Sequence, residues 1–151
     1  MIAGVIYQEQ ATNVNFADAM ADYIGGLAHV NMSIGIGQVR VKTAEALERV
    51  YSQLNPTVAG EQVIQSNAVR VEFLKHPLMN IRYVAAKLKF DQERWKKAGF
   101  DISSKPEILG TLYHIEDVAN PHIAPYAHPD SDEFGAGVKH NYAYVRDLLG
   151  I

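Results

Sequence analysis

Apolar residues recur along this chain at spacings of three and four, with few runs at a spacing of two. A spacing of three to four places side chains on one face of an α-helix, whereas a half-buried strand needs strict alternation. The alternation Val39-Arg40-Val41-Lys42 is too short to found a sheet. The expected fold class is therefore all-α or nearly so, a bundle of six to seven short helices.

Residues 2–10 read as the first helix, with Ile2, Val5, Ile6 and Glu9 on one face. That register puts Glu9 on or beside the buried face, and Asn13 and Asn15 mark the helix end. A second short helix is predicted over residues 16–24, closed by Gly25-Gly26. Residues 31–41 read as a glycine-containing turn. Thr43 has the character of an N-cap for a helix reaching Leu54, and Asn55-Pro56 stops it. A further helix is expected over residues 61–75, ended by His76-Pro77. Residues 80–97 form the longest one, with Ile81, Val84, Ala85, Leu88 and Trp95 as its apolar stripe and Gly99 as its stop. Ser104-Lys105-Pro106-Glu107 has the form of a capping box with proline in the first turn, opening a helix to about His114. Residues 119–131, with Pro121, Pro125 and Pro129, read as an irregular loop. Ser131 or Asp132 then caps a last helix over residues 133–149, with Phe134, Val138, Val145 and Leu148 inward and Gly150 behind it.

A chain of 151 residues is long enough for one domain with a core that needs no staple, so residues 1–151 are expected to form a single domain. Absence of cysteine removes disulfides, thiol catalysis and Cys-ligated metal sites. Fourteen basic against 17 acidic residues give a net charge of −3, which disfavours nucleic acid as the main partner. No apolar run reaches the roughly 18–20 residues that span a bilayer, so no membrane insertion is expected. Residues 1–6 are too short for a signal-peptide core and lack a basic flank. The chain opens directly in an apolar periodic segment, which fits either a natural start or a domain cut from a longer protein.

Three segments carry candidate chemistry. A carboxylate among Val5, Ile6 and Tyr7 is costly to bury, and burial favours its protonated form, the form a general acid requires. From periodicity alone, Glu9 at a helix end pointing to solvent is the simpler reading. Ser33-Ile34-Gly35-Ile36-Gly37-Gln38-Val39 places two glycines where backbone can approach a ligand or another segment. It is no dinucleotide fingerprint, since Arg40 stands where the third glycine would be. Tyr113-His114, near the end of a short helix, supplies a phenol and an imidazole. His122 and His128 with Asp130, Asp132 and Glu133 match no standard zinc spacing, and neither metal nor cofactor is expected.

In order and content these segments resemble the lysozyme-like superfamily, in its soluble lytic transglycosylase and goose-type lysozyme branch. The matching pieces are Val5-Ile6-Tyr7-Gln8-Glu9, the S-x-G-x-x-Q run from Ser33 to Gln38 followed by Thr43-Ala44, the Asn80-Ile81 helix start, Ile108-Leu109, and Leu112-Tyr113-His114. They span residues 2–116, about three quarters of the chain. The chain departs from the pattern at Gln10, where serine is common, at Gly37, where methionine is common, and at His114, where asparagine is usual. The segment between Glu9 and Ser33 is also longer.

The resemblance implies a helical bundle around a glycan cleft and a peptidoglycan-cleaving muramidase. Such an enzyme cuts the β-1,4 bond between N-acetylmuramic acid and N-acetylglucosamine through an oxocarbenium-like transition state. Glu9 would be its general acid and base. Ser33, Gly35 and Gln38 would line the sugar cleft, while Tyr113 and His114 would contact the sugar or orient Glu9. Asp18 and Asp22 are the residues best placed by sequence to act as a second carboxylate. Water gives hydrolysis, and attack by the sugar's own 6-hydroxyl gives an anhydro product. The implied partners are peptidoglycan strands and, for a delivered antibacterial enzyme, an inhibitor or immunity protein. The implied place of action is the periplasm or outside the cell. The alternative is a non-catalytic module of the same fold that binds wall glycan or a protein.

Overall fold

A computed structural model of the chain describes residues 1–12, 33–58 and 60–151. The described residues are mostly helical, with six α-helices and small two-stranded hairpins. The elements are α1 (Ile2–Thr12), β1 (Ser33–Ile34), β2 (Val39–Arg40), α2 (Val41–Val50), a 3-10 turn (Ser52–Leu54), β3 (Thr57–Val58), β4 (Glu61–Gln62), α3 (Asn67–Lys75), α4 (Pro77–Lys97), α5 (Pro106–Ile115) and α6 (Glu133–Leu149). The helix predicted over residues 16–24 lies outside the described residues. No helix among the described residues is long and apolar enough to cross a membrane.

The chain divides into two compact units, Glu9–Tyr83 and Met1–Gln8 with Val84–Ile151. In the first, β1 pairs antiparallel with β2, Ser33 opposite Arg40 and Ile34 opposite Val39. Chain direction then passes from β2 straight into α2. Extended Arg40 (φ −74°, ψ 144°) therefore occupies the N-cap without a side-chain bond, and Thr43 is buried in the first helical turn instead of capping it. α2 ends at Val50, short of the expected Leu54. Asn55 explains the early stop, because its amide donates to the Glu48 carbonyl (3.0 Å), one of the acceptors a helix end leaves open. Ala44 and Leu47 of α2, Val71 and Leu74 of α3 and Tyr83 of α4 are buried core residues of this unit.

Residues 61–66 are not helical, contrary to the periodicity. Glu61–Gln62 pair with Thr57–Val58 across a turn in which Gly60 takes φ +88°. α3 begins at Asn67, with the Ser66 hydroxyl accepting from the Val69 amide. α3 ends at Lys75, directly before His76-Pro77 as expected, and Pro77 then opens α4 ahead of the expected start at Asn80, a position where its missing N–H costs nothing.

In the second unit, α5 and α6 pack closely because glycines meet small or polar neighbours. A methyl group on Gly135 would collide with the Glu107 carbonyl and the Thr111 hydroxyl, and one on Gly110 would press on Val138. α5 starts at Pro106 with Lys105 at its cap and no side-chain bond, so Ser104 is not the cap. The loop over residues 119–131 carries neither helix nor strand. Asp132 caps α6 through the Gly135 amide (2.7 Å), and Gly150 closes it in the left-handed region at φ +69°. Phe134, Val138 and Val145 face inward, but Leu148 is 63% exposed: the apolar stripe ends one turn before the helix does.

Candidate functional site

Glu9 lies near the end of α1 and is only 8% exposed, so the solvent-pointing reading of its side chain fails. Its neighbour Gln10 donates from Nε2 to the Ile36 carbonyl at 2.8 Å. The end of α1 is thereby tied to the turn of the β1–β2 hairpin.

That turn is built around two backbone conformations and one asparagine. Gly35 has φ +75° and Gln38 φ +50°. The Gln38 amide group braces the loop from inside, donating from both its backbone N (3.0 Å) and its Nε2 (2.9 Å) to the Gly35 carbonyl. Asn80, on α4 and fully buried, donates from Nδ2 to the carbonyls of Ile34 (2.8 Å) and Leu74 (2.9 Å) and accepts from the Gly37 amide (2.8 Å). Any Cβ on Gly35 would fall on the Asn80 amide and the Leu74 carbonyl, which is why this position requires glycine. Ser33, at the start of β1, is exposed. Ser33, Gly35 and Gln38 are thus brought into one rigid hairpin, and Glu9 ends up one residue from its anchor. Asp18 and Asp22 lie outside the described residues.

Tyr113 and His114 are successive residues of α5 and have different surroundings. Tyr113 is buried, with the Lys87 ammonium 5.0 Å from its ring centre. His114 is exposed, stacks on Phe134 at 5.0 Å, and holds Asp132 Oδ2 through Nδ1 at 2.7 Å. Asp132 Oδ1 in turn accepts from the Thr111 hydroxyl (2.9 Å) and the Gly135 amide (2.7 Å). Asp132 lies below the usual carboxylate range: partial burial opposes this, and the bonds from His114, Gly135 and Thr111 outweigh it.

Polar groups that periodicity passed over are buried in both units. Glu48 and Arg70 form a two-pronged ion pair (Nε to Oε1 2.9 Å, Nη2 to Oε2 2.8 Å), with the Tyr83 hydroxyl donating to Oε1 at 2.8 Å. Burial first, then the bond to Glu48, hold the Tyr83 phenol well above its ordinary range, so it stays a neutral donor. In the other unit Lys87 donates to the carbonyls of Leu112 (3.0 Å) and Glu116 (3.1 Å). Glu116 itself receives Arg94 (2.5 Å) and the His122 amide (2.8 Å). A helix-period pattern registers these residues only as polar breaks in an apolar stripe.

Asp91 is the outlier of that group. It is fully buried, neither carboxylate oxygen has a hydrogen-bond partner, and the Lys87 ammonium is 4.0 Å away. Burial pushes its pKa up to about 6, against the pull of Lys87. A carboxyl that binds its proton more tightly when folded stabilises the fold below the unfolded value, near 4, and loses that contribution as pH rises through about 6. The loss amounts to about 3 kcal/mol. Urea denaturation between pH 4 and 7.5 should therefore show Asp91→Asn losing less stability on the alkaline side than the unaltered chain. Parallel pH curves for the two would contradict it.

Among the described residues no group of three or more His, Asp or Glu could hold a metal ion. Comparison with protein-family models, with curated proteins and with solved structures returned no match.

Proposed function

We propose that the chain is a peptidoglycan-cleaving muramidase of lysozyme-like fold, with Glu9 as general acid and base. The observation that carries this reading is a buried carboxylate at a helix end whose next residue is bonded to the S-x-G-x-x-Q turn. Catalysis of this kind needs an acid held where water does not keep it ionised, beside backbone that a sugar can approach. The exposed part of this backbone is the start of β1 at Ser33, since Gly35 and Gly37 close against Asn80, and the bonds from Asn80 and Gln38 hold the turn still without help from a ligand. The Gln38 side chain braces the turn, so its part in sugar binding is positional. Ser33 is left to meet the glycan directly, whereas Tyr113 and His114 belong to the other unit and enter this reading through the resemblance alone. The enzyme would act in the periplasm or outside the cell, needs no cofactor, and as a delivered antibacterial protein would be met by an inhibitor.

Glu9 would protonate the leaving oxygen and then serve as base for the incoming nucleophile. The product tells which nucleophile arrives. Mass spectrometry of purified cell wall after digestion should show soluble muropeptides, with anhydro ends for a lytic transglycosylase and reducing ends for a hydrolase. Wall binding without soluble product would overturn the enzymatic reading in favour of a binding module.

A further inference from the structure

A cavity of about 640 Å³ opens in the Val84–Ile151 unit, between the start of α5, one face of α6 and the loop before it. Its charged and titratable lining is Lys105, Glu107, His128, Asp130, Lys139 and His140. The volume is that of a small-ligand site. Lys139 and His140 follow Ala136 on α6 at helical spacing, so one face of the helix presents them together with Ala136.

Two features set this pocket apart from a solvated charged surface. Glu107 Oε2 is buried and accepts no hydrogen bond, an arrangement that costs free energy unless a donor completes it. Its other oxygen meets Lys139 at 3.3 Å, but Lys139 is largely exposed and such a pair is readily exchanged. The pocket also offers both signs of charge at once, with Lys105 and Lys139 against Glu107 and Asp130, above the apolar side chain of Ile108. A purely anionic ligand would meet two carboxylates, and a purely cationic one two ammonium groups.

We propose that this pocket binds a short peptide carrying both a free carboxylate and a free ammonium. The carboxylate would lie against Lys105 and Lys139, and the ammonium against Asp130 and Glu107 Oε1, taking the place of Lys139 on that oxygen. Exposed His128 and His140 stand at the rim and report on occupancy.

The test uses trialanine, its N-acetylated form and its C-terminal amide, titrated into the full chain while the His128 and His140 ring resonances are followed by NMR. Trialanine should shift both rings saturably, and each capped form should bind at least tenfold more weakly. Lys105→Met combined with Lys139→Met should weaken trialanine about tenfold, as should Glu107→Gln. The capped peptides test the same charges without altering the protein. No saturable ring shift through the tens of millimolar range would overturn the proposal, as would equal binding of capped and free peptides. Displacement by neutral N-acetylglucosamine would overturn it too. Binding should be unchanged in Glu9→Gln, so this result and that of the glycan-cleavage reading are separable.

Discussion

Arg70→Met should cost the fold about 3–5 kcal/mol, a large share of the roughly 5–15 kcal/mol by which a domain is stable. Glu48 and Arg70 are 2% and 1% exposed, so neither charge has water to fall back on. Removing the guanidinium leaves the Glu48 carboxylate with the Tyr83 hydroxyl at 2.8 Å as its described side-chain donor. It also frees the Gln65 carbonyl, which accepts from Arg70 Nη2 at 3.1 Å. The loss is the cost of stranding a buried charge, not the net worth of the pair, and that distinction is measurable. Glu48→Gln removes the charge while keeping an acceptor for Tyr83. The double variant Glu48→Gln/Arg70→Met should therefore be more stable than Arg70→Met alone. Urea denaturation of the four chains gives the coupling, and strictly additive losses would contradict this account.

Tertiary contacts decided the elements that periodicity misjudged. α1 forms, but Ile2 of its expected face is 36% exposed, and Val5 is buried beside the polar Gln8 and Glu9. The existence of α4, α5 and α6 follows from apolar spacing, because each buries a face at that spacing. Their ends do not. Ser104 has the composition of a cap, yet the helix starts from Lys105 and Pro106, whose ring already fixes the backbone angle. Residues 61–66 carry no mark in their own composition that separates a hairpin from a helical turn. What selects the hairpin is pairing with residues 57–58, a partner outside the window that periodicity reads. In the site, Gly35 was legible as a close-approach position because glycine is distinctive, and its reason is the Asn80 amide. Asn80 itself was legible only as a helix start, since nothing in a lone asparagine announces three long-range bonds. The burial of Glu9 could be placed on a face by spacing but not settled by it. One residue of rotation at a helix end separates core from solvent.

Glu9→Gln should lower the rate of wall solubilisation by about 10²–10⁴-fold, the usual contribution of a positioned general acid–base group. Glutamine keeps the size and one acceptor of the side chain, so the buried space at the end of α1 stays filled. It has no acidic proton to give the leaving oxygen, and its amide nitrogen cannot take one back from the nucleophile. The Gln10 bond to Ile36 comes from the neighbouring residue and is untouched, so the hairpin remains anchored. Far-UV circular dichroism and the melting temperature should accordingly stay close to those of the unaltered chain. Glu9→Ala adds a discriminating control, since it removes the same chemistry while emptying the buried space and should lower the melting temperature as well. A Glu9→Gln chain that is folded and still releases muropeptides at the original rate would remove Glu9 from the chemistry, whatever its burial. A folded chain that has lost release but still binds purified wall would separate catalysis from recognition at one residue.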